Sequence, residues 1–414
     1  MTSHRPDVRV SFAMPRHALR SRSSRAYAPR RAVLFGVALV VLALLAGPSH
    51  AASVNIGSTP PTPLSACEAP EGLVTQMVAP GVLQVIADDA GHRFDRGQVR
   101  EVEVGSDGTV VVAQGRRVIV LGEPGAIAPR TDGWRSFVRF LHLAPWGELW
   151  AVEDGGSTVV AEGGRWADRS GGMRSAGHSI GTLDDGSVWR VARSPGGANE
   201  IVRLDGADWV PAASEDITES LGVGSGRFDF ERTTDGRLWL AIDHGDRPGG
   251  FATYDQVGWK GDVLVPGDTP RVLALTVGPD GSLWAIADRK LHDTRPGEYV
   301  LLRHDEGTWL AIGPERGMPR DEAKAWTDWD PTVPTVLTVD QEGRVWFSIY
   351  GIGLYSFDGS DFHRVELPHA RRGVLDLRVA PDGSVWIVSS RGALYVVCGE
   401  HGRDQRAESG PSTT

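Results

Sequence analysis

The chain has 414 residues, a length that ordinarily suggests two or more domains, although repeat architectures and all-β folds escape that prior. Residues 1–31 carry eight arginines and one acid, so this basic leader contributes +7 to a formal net charge of −10 and the remainder carries −17. A body that acidic argues against nucleic acid and anionic membrane as partners.

Residues 32–47 (AVLFGVALVVLALLAG) form an unbroken apolar run, followed by Pro48-Ser49-His50-Ala51-Ala52. A basic stretch, a short apolar run and a small-residue site predict a signal peptide over residues 1–51, cut after Ala51. The run is short for a spanning helix, which needs about 20 residues. Arg30-Arg31 ahead of it also resembles the twin-arginine export signal, and a leader left uncleaved would act as a single-pass anchor. The expected location is extracellular, cell-wall or periplasmic. Residues 52–66 (ASVNIGSTPPTPLSA) predict a disordered linker and residues 401–414 a disordered tail, leaving 67–400 as the ordered body.

Within that body a phrase returns: DDGSVWRVA at Asp184, TDGRLWLAI at Thr234, PDGSLWAIA at Pro279 and PDGSVWIVS at Pro381. Aligning the turn glycine gives seven copies, at Gly108, Gly147, Gly186, Gly236, Gly281, Gly343 and Gly383. Three residues later stand Val111, Trp150, Trp189, Trp239, Trp284, Trp346 and Trp386. Ahead of most glycines, apolar residues alternate at −6 and −4, as in Val102/Val104, Leu141/Leu143 and Leu377/Val379, which reads as a strand with one buried face. Asp-Gly between two such runs predicts a hairpin with a type I′ turn. A second hairpin phrase, such as IVRLDGADW at Ile201, follows in each copy. The unit is a four-stranded meander of about 40 to 60 residues, the size of a propeller blade, and the tryptophans are expected between blades.

The fold expected is all-β: a seven-bladed β-propeller of four-stranded blades. The last repeat ends one strand short, and residues 81–88 (GVLQVIAD) have strand character, so an N-terminal strand is expected to complete the seventh blade. Cys67 and Cys398, the two cysteines, flank that closure, and in an exported, monomeric domain a disulfide between them is expected ahead of two free thiols.

The face of the inner strands opposite the packed residues, at −7 and −5, reads Glu101/Glu103, Phe140/His142, Ser179/Gly181, Asp229/Glu231, Ala274/Thr276, Val336/Thr338 and Asp376/Arg378. Five acids therefore face the channel or a neighbouring blade, where an axial divalent cation is one reading and solvated or arginine-paired acids the other. Twelve residues before the turn glycines stand Arg96, Arg135, Arg174 and Arg371, with Arg372 adjacent and Arg227 and Arg271 a few places on. These connections share one face of a propeller, so the arginines form a candidate collar for an anionic ligand, an acidic glycan or an acidic protein partner. Pairing with inter-blade acids is the alternative. The irregular segment 313–334 places Trp326 and Trp329, with Asp328 and Asp330, on a candidate binding lip or folded back onto the rim.

The paired phrases, above all GLYSFDGSDFHRVEL with the preceding EGRVWFSIYGI, resemble the two-component regulator propeller repeat. In that family such blades often form the extracytoplasmic sensor part of a membrane histidine kinase. This chain departs from that plan, showing no second apolar span and no kinase region after the blades, so the resemblance implies a stand-alone exported binding or scaffolding module, or a sensor partner. Metalloprotease, P-loop, dinucleotide and nucleophile-elbow motifs are all missing, and the histidines lack metal-ligand spacing. Streptogramin lyases, also seven-bladed, place a catalytic histidine and metal-binding acids at the channel mouth. A propeller lyase or hydrolase is therefore the alternative function, and a metal beside His142 or His178 would favour it.

Overall fold

In every repeat the glycine takes the left-handed conformation, with φ between +79° at Gly343 and +90° at Gly147. The computed structural model describes residues 72–398 apart from 80, 90, 95–97, 122–136, 163, 194–196, 214–226, 244–248, 263–270, 289–297, 306, 321–334, 350 and 369–372, all within the compact unit His50–Thr414. The turns differ from the type I′ expectation, because no turn aspartate shares the positive φ. The Gly108 N–H donates to the Gly105 carbonyl at 2.9 Å while the Gly105 N–H donates to Thr109 at 2.8 Å. That pattern is a three-residue loop, a type I turn closed by a left-handed glycine. The aspartate acts through its side chain instead: Asp107 accepts the Thr109 N–H at 2.9 Å, and Asp185, Asp280 and Asp382 accept those of Ser187, Ser282 and Ser384.

Seven antiparallel sheets form the ring. In chain order the first two strands, β1 (Leu73–Ala79) and β2 (Val82–Asp88), belong to the last blade. Blade 1 holds β3 (Val99–Val104), β4 (Val110–Gln114) and β5 (Arg117–Leu121), three strands among the described residues. Blade 2 holds β6 (Val138–Leu143), β7 (Leu149–Glu153), β8 (Thr158–Glu162) and β9 (Arg165–Asp168). Blade 3 holds β10 (Arg174–Thr182), β11 (Val188–Arg193), β12 (Asn199–Asp205) and β13 (Asp208–Pro211). Blade 4 runs from β14 (Arg227–Arg232) through β15 (Leu238–Asp243) and β16 (Gly250–Tyr254) to β17 (Trp259–Asp262). Blade 5 comprises β18 (Arg271–Val277), β19 (Leu283–Asp288), β20 (Tyr299–Asp305) and β21 (Thr308–Ile312). Blade 6 comprises β22 (Val336–Val339), β23 (Val345–Ile349), β24 (Gly353–Phe357) and β25 (Phe362–Val365). Blade 7 starts with β26 (Val374–Val379), β27 (Val385–Ser389) and β28 (Leu394–Val397). The molecule is an all-β, seven-bladed propeller.

The ring closes through the N-terminal segment. Strand β2 pairs antiparallel with β28, Val82 opposite Val397 and Val85 opposite Leu394, and the Cys398 N–H donates to the Gly81 carbonyl at 3.1 Å. The expected closing strand is present, and β1 adds a further strand outside it, making blade 7 five-stranded. No free cysteine stands among the described residues, and Cys67 lies outside them.

Burial explains why the tryptophans recur. Trp150, Trp189, Trp239, Trp284, Trp346 and Trp386 are all buried, each in an apolar cluster shared with the following blade; Val111 holds that place between blades 1 and 2. Trp386, for instance, packs with Val99 and Val102 across the closure. A large flat ring removes more apolar surface from water than any aliphatic side chain, which makes tryptophan suited to filling the space between twisted sheets.

Candidate functional site

The inner strands do more than alternate. In β3, β6, β18 and β26 the pairing register shifts once, between Val99 and Glu101, Val138 and Phe140, Val272 and Ala274, and Val374 and Asp376. The residues skipped, Arg100, Arg139, Leu273 and Leu375, are β-bulges. A bulge re-aims a side chain, so these residues join their neighbours in lining the channel. Together they enclose a cavity of about 610 Å3 that begins where the inner strands begin. Arg100, Phe137, Arg139 and Asp154 stand at its mouth, and Glu101, Phe140, Asp229, Glu231, Asp376 and Arg378 lie deeper along the strands.

Charge in the cavity is uneven. Arg378 is the hub: its guanidinium donates to Glu103 at 2.7 Å and to Asp376 at 2.7 Å, and stands 3.7 Å from Glu101. Burial alone would lower its pKa, but the three carboxylates raise it well above the usual value. Desolvation raises Glu101 well above the ordinary carboxylate range, helped by the nearby Asp376. The same cause pushes Glu231 up to about 8, with Asp229 adding repulsion, and pushes Asp229 and Asp376 up to about 6. Glu231 makes no hydrogen bond or ion pair among the described residues. Its carboxyl touches the cavity yet is surrounded by protein, so it is partly accessible and strongly desolvated at once.

Several channel groups also bind blade to blade. The Asp376 carboxylate accepts the Val102 N–H of blade 1 at 2.9 Å, and Asp229 makes the equivalent bond to the Leu275 N–H of blade 5 at 3.4 Å. Glu103 reaches the Leu143 N–H of blade 2 at 3.4 Å, and His142 of that blade hydrogen-bonds through Nε2 to Thr182 Oγ1 of blade 3 at 3.0 Å. Desolvation lowers the His142 pKa, and its Nδ1 stands 4.0 Å from Glu103. Of the residues at −7 and −5, Glu101, Phe140, Asp229, Glu231, Ala274, Val336, Asp376 and Arg378 line the cavity, Glu103 and His142 reach a neighbouring blade, and the Ser179 side chain lies outside the described residues. No group of three or more histidines, cysteines, aspartates or glutamates among the described residues is arranged to hold a metal ion.

Of the arginine collar, Arg96, Arg135, Arg371 and Arg372 lie outside the described residues, as does the side chain of Arg227. Arg174 is exposed at the start of β10. Arg271 is committed to Asp243 in a two-pronged ion pair, 2.9 Å from Nε and 3.0 Å from the terminal nitrogen. Trp326 and Trp329 lie outside the described residues, and so does His178 beyond its backbone. The sequence reading missed Arg100 and Arg139, because strict alternation points both away from the channel.

A propeller with a charged, partly enclosed axial cavity is the class of protein that fold and site define. No family model matches the chain, and no curated protein matches it. Among solved structures it is similar to a streptogramin B lyase, at 15% identity over 73% of this chain and 93% of that one, with a TM-score of 0.52. It also resembles the extracellular domain of a one component system from B. thetaiotaomicron, at 11% identity and a TM-score of 0.49, covering 73% of this chain but only 38% of that one. The WD40 β-propeller domain of Doa1 is similar at 11% identity over 75% of this chain and 95% of that one, with a TM-score of 0.48. At these identities the likeness is one of fold. Among the described residues no helix is long and apolar enough to cross a membrane.

Proposed function

We propose that the protein is an exported binding module whose small polar ligand enters the channel cavity at the mouth where the inner strands begin. The observation that carries this reading is the cavity itself: about 610 Å3, within the size range of ligand pockets, with unpaired charged groups at mouth and base. A propeller core can be closed with apolar and hydroxyl residues, as blades 5 and 6 do with Ala274, Thr276, Val336 and Thr338. Glu231, Arg100 and Arg139 serve no packing purpose that those residues would not serve better. Export is supported by the leader, and the anionic-partner reading of the rim is supported by the exposed arginines Arg100, Arg139 and Arg174.

Ligand-observed NMR with a mixed panel of small amines, carboxylates, sugars and short peptides tests the reading. Hits on the wild type should vanish in Val336→Trp, which fills the cavity from blade 6, provided that circular dichroism shows the variant folded. A panel that gives no hits, or hits unchanged in the folded variant, would overturn it. Export further predicts a Cys67–Cys398 bridge, supported by the position of Cys398 beside Gly81 at the closure. Intact mass after alkylation should show both thiols masked before reduction, and two alkylated cysteines in natively exported protein would refute it.

A further inference from the structure

Resting on that reading, we propose that the channel cavity binds a short peptide or similar zwitterion lengthwise, with its ammonium group at Glu231 and its carboxylate at Arg100 and Arg139. Three observations carry the proposal. First, the two ends of the cavity have opposite sign. Arg100 and Arg139 stand eight residues before their turn glycines, on bulges, and neither makes an ion pair among the described residues; Asp154 beside Arg139 offsets part of their charge, so two guanidiniums face one carboxylate at the mouth. Glu231 stands five before its own glycine and is likewise unpaired. Second, the other deep charges have partners: Arg378 is bound to Glu103 and Asp376 and stands 3.7 Å from Glu101; Glu103 and Asp376 accept the amides of Leu143 and Val102; and Asp229 accepts the Leu275 amide at 3.4 Å. Third, the spacing fits. Arg100 and Arg139, each on a bulge, stand a little under three strand steps above the level of Glu231 on blade 4, roughly 8 Å in depth at about 3.3 Å per step; an extended chain that also crosses the channel from blades 1 and 2 to blade 4 needs about the length of a tripeptide.

Below the mouth, Phe140 gives the wall an apolar face for a side chain. A guanidinium pair at the rim suits a carboxylate, while the desolvated carboxyl at the base suits an ammonium that supplies the missing positive charge. With Glu231 raised to about 8, the empty cavity keeps this group protonated near neutral pH. Burial sets most of this; among nearby charges Asp229 on its own strand and Glu103 from blade 1 add to it, while Arg378 from blade 7 and Arg232 on its own strand oppose it. An arriving ammonium displaces the Glu231 proton to solvent, so binding and proton release are linked.

The test uses trialanine, N-acetyl-trialanine and trialanine amide with the full exported chain. Calorimetry should show that acetylation weakens binding about tenfold or more, and amidation by a smaller factor. Glu231→Gln should remove the preference for the free amine, and Arg100→Ala/Arg139→Ala the preference for the free carboxylate, each leaving the other preference intact. Near neutral pH, titrations in buffers of different ionisation enthalpy should show proton release on the wild type and none in Glu231→Gln. Acetylated peptide binding as well as free peptide, or no trialanine binding at all, would overturn the inference. The panel and Val336→Trp then decide separately whether the cavity binds ligands of another class.

Discussion

Arg190, between blades 2 and 3, and Arg378, in the channel, are both withdrawn from bulk solvent, yet their surroundings are opposite in kind. Arg190 is fully buried and sits four residues after its turn glycine, where the other blades place Val112, Ala151, Leu240, Ala285, Phe347 and Ile387. Neutral groups hold it: it donates to Thr158 Oγ1 and, at 2.7 Å, to the Ser170 carbonyl, with the Trp209 ring 4.1 Å away. Desolvation lowers its pKa to about 10, opposed only by Asp168. Arg378 is ringed by carboxylates that raise its pKa instead. A cation held by neutral acceptors is a packing element joining two blades, whereas one outnumbered by acids leaves a charged cavity open to a ligand.

The largest test of this contrast is Arg378→Met. Removing the guanidinium leaves Glu101, Glu103 and Asp376 uncompensated, and stripping one partner from a buried charge group costs on the order of 3–5 kcal/mol. Glu101 and Asp376, already raised by burial, then hold their protons still more tightly when folded. The deficit in urea melts should therefore be large at about pH 8 and shrink toward about pH 5, as protonation removes the repulsion. A deficit of equal size at both would mean that Arg378 acts by packing alone.

Arg190→Met should behave differently. It strands the Thr158 hydroxyl, takes one of two donors from the Ser170 carbonyl, which keeps the Met173 N–H at 3.0 Å, and loses the cation–π contact with Trp209, a loss of about 1–3 kcal/mol. No group bonded to Arg190 titrates between those pH values, so the deficit should be the same at both. A pH-dependent deficit resembling that of Arg378→Met would break the comparison.

Much of this was legible in the repeats. The turn glycine, the tryptophan three residues on and the apolar −6 position state the blade, because each copy solves the same packing problem. Arg190 was visible as the charged residue in SVWRVA at a position otherwise apolar. The bulges also left a trace: Val99/Val102, Val138/Leu141, Val272/Leu275 and Val374/Leu377 are buried pairs three residues apart, where a regular strand would space them by two, as Phe228/Phe230 are. Reading by alternation alone passed over that spacing and so over Arg100 and Arg139. Strand β1 was missed because only Leu73 of LVTQMVA is buried, with Val74 and Met77 exposed, so its apolar pattern is weak. The protonation of the channel acids could not be read at all. It depends on groups brought together by ring closure, such as Arg378 and Glu103, which are 275 residues apart in sequence.

The smallest expected effect, and the most specific to the cavity, belongs to Glu231→Gln. The folded protein holds the Glu231 proton up to about pH 8, whereas an unfolded chain releases it near its ordinary value of 4.5. Between those limits the native state binds more protons than the unfolded state, so stability falls as pH rises and levels off above the folded value. Asp229 and Asp376, raised to about 6, add a decline of the same sign that ends earlier. Glutamine keeps the shape of the protonated acid and cannot ionise. The variant should match the wild type at about pH 5 and exceed it above neutrality; because the cavity partly screens Glu231, the gain is on the order of 1–2 kcal/mol. Thermal melts from about pH 5 to about pH 9 would show it as a flatter curve for the variant. Parallel curves would mean that Glu231 finds a counter-charge in the folded protein, and the contrast between a spent Arg378 and an unspent Glu231 would fall.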